Sequence, residues 1–463
     1  MTFSKARSVA WLVMRTWFGM LISMAMLPNV YGQEYSWKAG WARANITPQK
    51  LMWMSGYGGR DHPAEGKLTD LWAKALVLQD PQGNQVVLVT LDLVGIDRQL
   101  SERICQRLSE ARGWKREQIA ICTSHTHTGP VIGKNLGAMH YMLLDDEQRT
   151  LIDEYEKYAE EQIVHTVLEA SRELTACRVQ FGSGKTTFAV NRRNNREAEV
   201  PRLRQRGRLV GPVDHDVPVL TVRDEQDNLR VVVFGYACHA TVLSFYQFSG
   251  DYPGFAQLEL EQKFPGCQAM FWAGCGADQN PLPRRTVELA QEYGRRLAAA
   301  VVEVIEAPME SLTGPLQCYY QEVPLSFARV PDRTELESQA SSSDRFVAAR
   351  ARLWLERLQQ GDSLPSEYPY PISVWRIGQQ WEWYFLGGEV VVDYALRIKA
   401  ERWGTRTWVA GYSHDVMAYI PSRRVLLEGG YEGGGAMVYY GLLSPWSENC
   451  EEQIITAIHQ LGR

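Results

Sequence analysis

Short apolar runs with almost no charge recur along this chain, and they limit the fold class it can adopt. They are residues 75–78 (ALVL), 86–91 (VVLVTL), 119–123 (IAICT), 217–222 (VPVLTV), 230–237 (RVVVFGYA) and 269–272 (AMFW). Each has the length of a strand and lacks polar alternation, so each is expected to be covered on both faces. Helix-period segments lie between them. Residues 98–112 place Leu100, Ile104 and Leu108 on one face, and residues 151–172 and 286–306 read as longer amphipathic helices. Asp80-Pro81-Gln82-Gly83-Asn84 supplies turn residues for a hairpin between the first two runs. The pattern predicts an α/β domain with a mixed β-sheet core flanked by helices. Residues 332–371 read as a surface helical excursion that ends in a Pro/Tyr-rich loop at 365–371, before strand-like sequence returns at 372–377. One domain over residues 33–463 is the simplest division.

The chain has 463 residues, enough for a large core, and a net charge of −5, which gives no electrostatic case for nucleic acid. Residues 1–32 differ from the rest. Lys5, Arg7 and Arg15 precede the apolar stretch 16–28, and Val30-Tyr31-Gly32 offers small residues at a cleavage position. This reads as a signal peptide cut after Gly32, giving a secreted or periplasmic protein. The competing reading is an anchor, but the stretch is shorter than the roughly 20 residues a bilayer core requires. No transmembrane span is expected in the mature chain; peripheral membrane contact stays open, and no protein partner can be inferred. The eight cysteines lack any CxxC pair. Buried free thiols are expected for most, with Cys267 and Cys275 near enough in sequence to consider a disulfide.

Polar residues at the ends of apolar strands carry the chemical signal. Ser124-His125-Thr126-His127-Thr128-Gly129-Pro130 follows directly on the IAICT run. In an extended segment, residues two apart face the same way, so both imidazoles can share a pocket. Taken alone, such a pair is equally compatible with surface polarity. His239 closes the run 230–237 and is either a satisfied core residue or a further ligand. Glu389 follows Gly387-Gly388 at the end of another apolar run, and a carboxylate there needs a cation or donors. Tyr419 precedes the glycine-rich stretch 429–435. Asp92 interrupts residues 87–94 (VLVTLDLV) and reads as a site residue, with a second metal nearby left open, or as a cap on a neighbouring loop.

In that order, the segments resemble the neutral ceramidases, zinc-dependent amidases that cleave the N-acyl bond of ceramide. The likeness runs from about residue 39 to 433. It includes Ile46-Thr47-Pro48, Met54-Ser55-Gly56-Tyr57, Leu71-Trp72-Ala73-Lys74-Ala75, the SHTHTGP segment, Asn191-Arg192, Cys238-His239-Ala240-Thr241, Gly388-Glu389 and Tyr419 with Tyr431-Glu432-Gly433. The resemblance implies Zn2+ held by His125, His239, Glu389 and Tyr419. It implies His127 as a histidine that either supports the ligands from behind or acts as acid and base, and Arg192 and Tyr431 as residues that line the site and can stabilise a developing oxyanion. Gly56 and Tyr57 are expected to contact substrate. Asp251 is either a helix N-cap or a substrate-binding residue of a site-lining loop.

The chain also departs from the family. The segment Gly274-Cys275-Gly276-Ala277-Asp278-Gln279-Asn280-Pro281 lacks the serine associated with ceramide cleavage, and Gln279 or a neighbour takes its place. Glutamine can bind substrate but cannot be a nucleophile, so zinc-activated water becomes the expected attacking group. Asp278 is left with either a proton-transfer role or an Asx-turn role. A family histidine falls on Leu68. The expectation is therefore an exported zinc-dependent hydrolase of an N-acyl amide. Two alternatives stand: a hydrolase of a non-lipid amide or ester such as an acylated sugar, and a non-catalytic zinc-containing binding protein. Residues 182–186 (GSGKT) are not a phosphate loop, because the required first glycine falls on Val179.

Overall fold

The computed structural model describes residues 37–462, so the expected signal peptide lies outside the described residues. The first sheet is built from β1 (Trp37–Asn45), β2 (Trp72–Gln79), β3 (Gln85–Leu91), β4 (Ile119–Thr123), β5 (Thr175–Lys185), β6 (Asp216–Asp224), β7 (Leu229–Tyr236), β8 (Gln268–Ala273) and the short β9 (Glu310–Ser311). Its order is β8-β7-β6-β5-β1-β2-β3-β4, with β9 on β5. Both outermost pairs, β7 with β8 and β3 with β4, are parallel; the inner pairs are antiparallel. The predicted mixed sheet is therefore present, and all six apolar runs lie in it.

The second sheet contains β10 (Leu316–Ser326), β11 (Glu367–Ile377), β12 (Trp381–Leu386) and, after the two-residue β13 (Glu389–Val390), β14 (Arg406–Ala410). A final short strand, β15 (Tyr419–Ile420), pairs with β13 in parallel. The two sheets pack face to face. Leu76, Leu88, Cys122, Val233 and Trp272 of the first sheet meet Trp375, Trp381, Trp383, Phe385 and Trp408 of the second. Alternate residues of the first sheet, such as Val77, Val89 and Ile121, turn the other way. They pack under helices α1 (Arg98–Arg112) and α2 (Asp146–Ala170). Helices α3 (Asp251–Lys263) and α4 (Val287–Glu306) cover the β7 and β8 end of that face. The outer face of the second sheet is covered by α5 (Arg345–Gln359), α6 (Val392–Glu401) and α7 (Cys450–Gln460). With a partner layer on both faces, the strands can be apolar throughout.

Local signals explain several boundaries. Asp97 caps α1 by accepting from Leu100 N, and Gly113 ends it in the left-handed region. Asp80 accepts from the backbone of Gln82 and Asn84, which closes the β2–β3 hairpin. The GSGKT segment is part of strand β5, so no phosphate loop forms.

Two expectations need correction. Residues 367–371 are strand, not loop. Pro369 and Pro371 pair only with β10, because β11 meets β12 from Ile372 onward, so both prolines sit where no ladder donor is required. Nor is the helical segment merely superficial: Ala351 and Trp354 of α5 are buried in the core of the second sheet. All eight cysteines are free, Cys267 and Cys275 included. Among the described residues no helix is long and apolar enough to cross a membrane.

Candidate metal centre

Four chain segments converge where the two sheets end. Beyond β4, His125 takes a left-handed backbone conformation with φ 58°. The two imidazoles of the His-Thr-His segment therefore do not meet by strand alternation. A turn brings them together, with Nε2 of His125 and Nε2 of His127 3.0 Å apart. Such a conformation costs a non-glycine residue about 1–3 kcal/mol and must be held by its surroundings. Here His125 Nδ1 lies 2.5 Å from Val94 O, and the Tyr412 ring packs on the imidazole at 4.3 Å. His239 follows β7, and its Nδ1 lies 2.8 Å from Gly276 O.

These contacts orient both rings. A carbonyl oxygen can only accept, so Nδ1 of each histidine carries a hydrogen and Nε2 is turned toward the cluster. Burial pushes the His239 pKa down to about 4 and pushes that of His127 well below its usual value, so these rings are neutral near pH 7. Glu389 Oε2 lies 3.2 Å from His125 Nε2 and 3.1 Å from His239 Nε2. It is buried and has no hydrogen-bond donor. Its other oxygen accepts from the Tyr440 hydroxyl. A buried carboxylate oxygen set beside two imidazole nitrogens makes a mixed nitrogen and oxygen set that a cation between them would satisfy.

Tyr419 completes the cluster. Glu389 and Tyr419 are direct partners in the β13–β15 pair, so the sheet itself sets the two oxygens side by side. Gly388 precedes them with φ 73°, where a Cβ would sit 2.7 Å from Ala418 O; this close approach requires glycine. The Tyr419 hydroxyl lies 3.3 Å from His239 Nε2 and accepts from Arg192 Nη2 at 3.1 Å. Two donor sets can hold an ion. One is His125, His127 and His239, whose candidate ligand atoms all lie within 4.8 Å of one another. The other is His125 and His239 with Glu389 and Tyr419.

The centre opens into a cleft of about 750 Å³. His127, Arg192, Tyr419, Tyr431, Gly56 and Tyr57 line it. His127 Nδ1 has no protein partner. Gly56 has φ 94°, and a Cβ there would meet His127 Cγ at 2.5 Å, so its contact is with the histidine ring. Tyr57 packs edge-on to the same ring at 4.8 Å. Arg192 is held by Glu432 at 2.7 Å and Asn280 at 3.3 Å as well as by Tyr419. Tyr431 packs edge-on to Tyr419 at 5.2 Å and is 45% exposed at the lip.

Three residues expected to act on or bind substrate lie outside the cleft lining. Asp278 accepts from Asn191 Nδ2 and Val392 N, and its carbonyl accepts from Arg192 N. Gln279 is fully buried: its amide donates to Ala237 O at 2.7 Å and accepts from Asp214 N at 3.1 Å. Asp251 accepts from Leu243 N and Tyr252 N at the start of α3. All three are held by backbone groups behind the site rather than presented to a ligand. Asp92 is likewise distant: it accepts from Trp72 N and Gln257, with buried Lys74 nearby, and burial pushes its pKa up to about 6. Sequence reasoning missed Tyr440 and Tyr412, which touch Glu389 and His125; no motif marks either. Glu432 and Asn280 lay inside segments already singled out.

The family model described as neutral/alkaline non-lysosomal ceramidase, N-terminal, matches residues 37–275. The chain belongs to the neutral/alkaline non-lysosomal ceramidase family. The match contains His125, His127, Arg192 and His239, whereas Glu389 and Tyr419 fall beyond it. Curated relatives include a Drosophila melanogaster neutral ceramidase, 25% identical over 257 residues, covering 52% of this chain and 35% of the relative. Arabidopsis thaliana neutral ceramidase 2 is 24% identical over 267 residues, covering 56% and 34%. The chain thus spans about a third of the length of these relatives. Among solved structures, the neutral ceramidase from Pseudomonas aeruginosa matches with a TM-score of 0.70 at 19% identity, over 92% of this chain and 75% of that one. The shared fold therefore extends past the family match to the second sheet.

Proposed function

We propose that this protein is an exported zinc-dependent amidohydrolase that cleaves an N-acyl bond. The observation that carries the reading is the buried Glu389 oxygen within 3.2 Å of two imidazole nitrogens, beside the cleft that His127 and Tyr419 line. His125, His239, Glu389 and Tyr419 would hold the ion, a nitrogen and oxygen set suited to zinc. When bound, zinc would polarise the amide carbonyl and acidify an attacking water. His127, neutral and facing the cleft, would take a proton from the attacking water and return it to the leaving nitrogen. Arg192, locked by Glu432 and Tyr419, directs its charge at the carbonyl oxygen as it becomes an oxyanion. Tyr431 shields this pair at the lip. Asp278 and Gln279 position Arg192 and His239 through the backbone and touch no substrate.

The cleft favours a polar substrate over ceramide. Leu282 is the single aliphatic side chain among its lining residues, and the rest are glycines, aromatic, polar or charged groups. A long acyl chain gains little there, since it is burial against apolar surface that stabilises such a chain. This supports the non-lipid or short-acyl amide reading. Metal analysis of the purified mature chain, followed by a panel of N-acyl substrates with wild type and His125→Ala, tests the proposal. Zinc near one equivalent and activity lost in the variant are expected. No retained metal, or activity indifferent to His125→Ala, would overturn it. Efficient release of fatty acid from ceramide would refute the polar-substrate reading alone.

A further inference from the structure

The mouth of the cleft carries more positive charge than its carboxylates neutralise. Arg193 pairs with Glu428 and Glu432, and Arg284 with Glu197. Arg285 and Arg196, on the same cleft, have no carboxylate partner among the described residues. Arg285 is held in place. Its φ is 95°, its backbone N donates to Val242 O at 2.7 Å, and its Nη1 donates to the Tyr57 hydroxyl at 3.2 Å. Its guanidinium also lies over the Tyr57 ring, 5.4 Å from the centroid. The Tyr57 ring is also met by Arg60, a buried guanidinium 4.9 Å from the centroid that bonds only to backbone carbonyls, including that of His127. The Tyr57 ring in turn touches His127. A fixed, unneutralised guanidinium therefore stands one phenol ring away from the proposed proton carrier.

We propose that the cleft selects N-acyl compounds whose amine portion carries an oxyanion, a carboxylate or a sulfonate, and that Arg285 reads that charge. This rests on the amidohydrolase reading and names its substrate class. Arginine's planar donor fork suits a carboxylate or sulfonate, and excess positive field in a cleft concentrates anionic ligands. The Arg285 ion pair would orient the amide toward His127 and Arg192 without itself meeting the reacting atoms, so Arg285 is a specificity and positioning residue.

The test uses the zinc-loaded full chain and three probes: N-acetylglycine, N-acetyltaurine and neutral N-acetylethanolamine. Binding by calorimetry and turnover are both measured, with wild type, Arg285→Asn and Arg285→Lys. Asparagine tolerates positive φ, so the neutral variant keeps the turn, and unchanged melting temperature verifies this. Wild type is expected to prefer at least one anionic probe over the neutral one by about tenfold, with the preference lost in Arg285→Asn and partly kept in Arg285→Lys. Relative strength of the two anionic probes identifies carboxylate or sulfonate as the natural headgroup. Equal binding of charged and neutral probes by wild type, or a preference untouched by Arg285→Asn, overturns the proposal. Selective, Arg285-dependent binding of an anionic probe without any turnover supports this proposal while overturning the hydrolase reading.

Discussion

Replacing Glu389 by glutamine should reverse the order of stability according to whether metal is present. In the metal-free protein at pH 8, Glu389 Oε2 faces Nε2 of His125 and of His239 and has no hydrogen-bond donor. The Glu389→Gln side chain has the same shape. Its oxygen keeps the Tyr440 bond, and its NH2 group takes the Oε2 position and offers a hydrogen to each Nε2. Two new hydrogen bonds at about 1 kcal/mol each make the variant more stable by about 2 kcal/mol. For a domain of about 430 residues the unfolding entropy near the midpoint is ~0.9 kcal/mol per kelvin, so the gain is about 2 °C in Tm. With zinc at a thousandfold excess over Kd, wild type gains about 4 kcal/mol, or about 4–5 °C. If losing one ligand weakens binding a hundredfold, the variant gains only ~1.4 kcal/mol, about 1–2 °C. Calorimetric melting with chelator and with zinc measures both shifts. Equal zinc-induced shifts in the two proteins, or a variant less stable than wild type in chelator, would refute the tautomer reasoning and the ligand role of Glu389.

Two further perturbations test other parts of the structure. Gly56→Ala forces a Cβ against the His127 ring at a positive φ; a loss of about 2–4 kcal/mol in denaturant unfolding, with turnover reduced through a displaced His127, is expected. Asp415 is buried, accepts from the Tyr368 hydroxyl, and has its pKa pushed up by burial to about 7. The folded state thus holds this proton more tightly than the unfolded state, so its stabilising effect is complete below pH ~4 and is lost as pH rises toward 7. Asp415→Asn cannot lose that proton. Its stability relative to wild type should rise by about 2–3 kcal/mol between pH 5 and pH 7 and stay level above, in urea titrations at each pH. A difference that does not vary with pH would show Asp415 to be ionised throughout.

The sheet was legible in the sequence because its strands are buried on both faces, which turns periodicity into continuous apolar runs. The second sheet was harder to read. Its β11 begins in a Pro/Tyr-rich segment, and proline suppresses the strand signal even where only one edge is paired. The candidate metal centre drew notice wherever a polar residue ends an apolar strand, as at His125, His239 and Glu389. What sequence could not supply was direction. His125 turns into the left-handed region, so the alternation argument brought the two histidines together for the wrong reason. Gln279 and Asp278 sit in a segment that the resemblance placed at the site, yet their side chains are taken up by backbone groups. Tyr440 is invisible in sequence because a single tyrosine on a short helix carries no period or motif.

The position of Gln279 also bears on whether ceramidase chemistry could be restored by one substitution. Its amide bridges Asp214 N and Ala237 O, on opposite sides of the loop that delivers His239. Serine is shorter by two heavy atoms and cannot reach both. Gln279→Ser would therefore leave one or two buried backbone groups unpaired, a loss of about 1–3 kcal/mol for each. His239 N bonds to the Gln279 carbonyl at 2.9 Å, so loosening this loop would also loosen a proposed zinc ligand. The new hydroxyl would sit in the buried bridge rather than in the cleft, where Asn280 is the neighbour that faces Arg192. The expected result for Gln279→Ser is a lower Tm, weaker zinc retention and no gain of ceramide hydrolysis, measured by melting, metal analysis and fatty-acid release. A variant as stable as wild type that releases fatty acid from ceramide would show that this loop can be rebuilt around a serine. In that event the absence of the serine alone would separate this chain from the ceramidases, and the polar cleft would not.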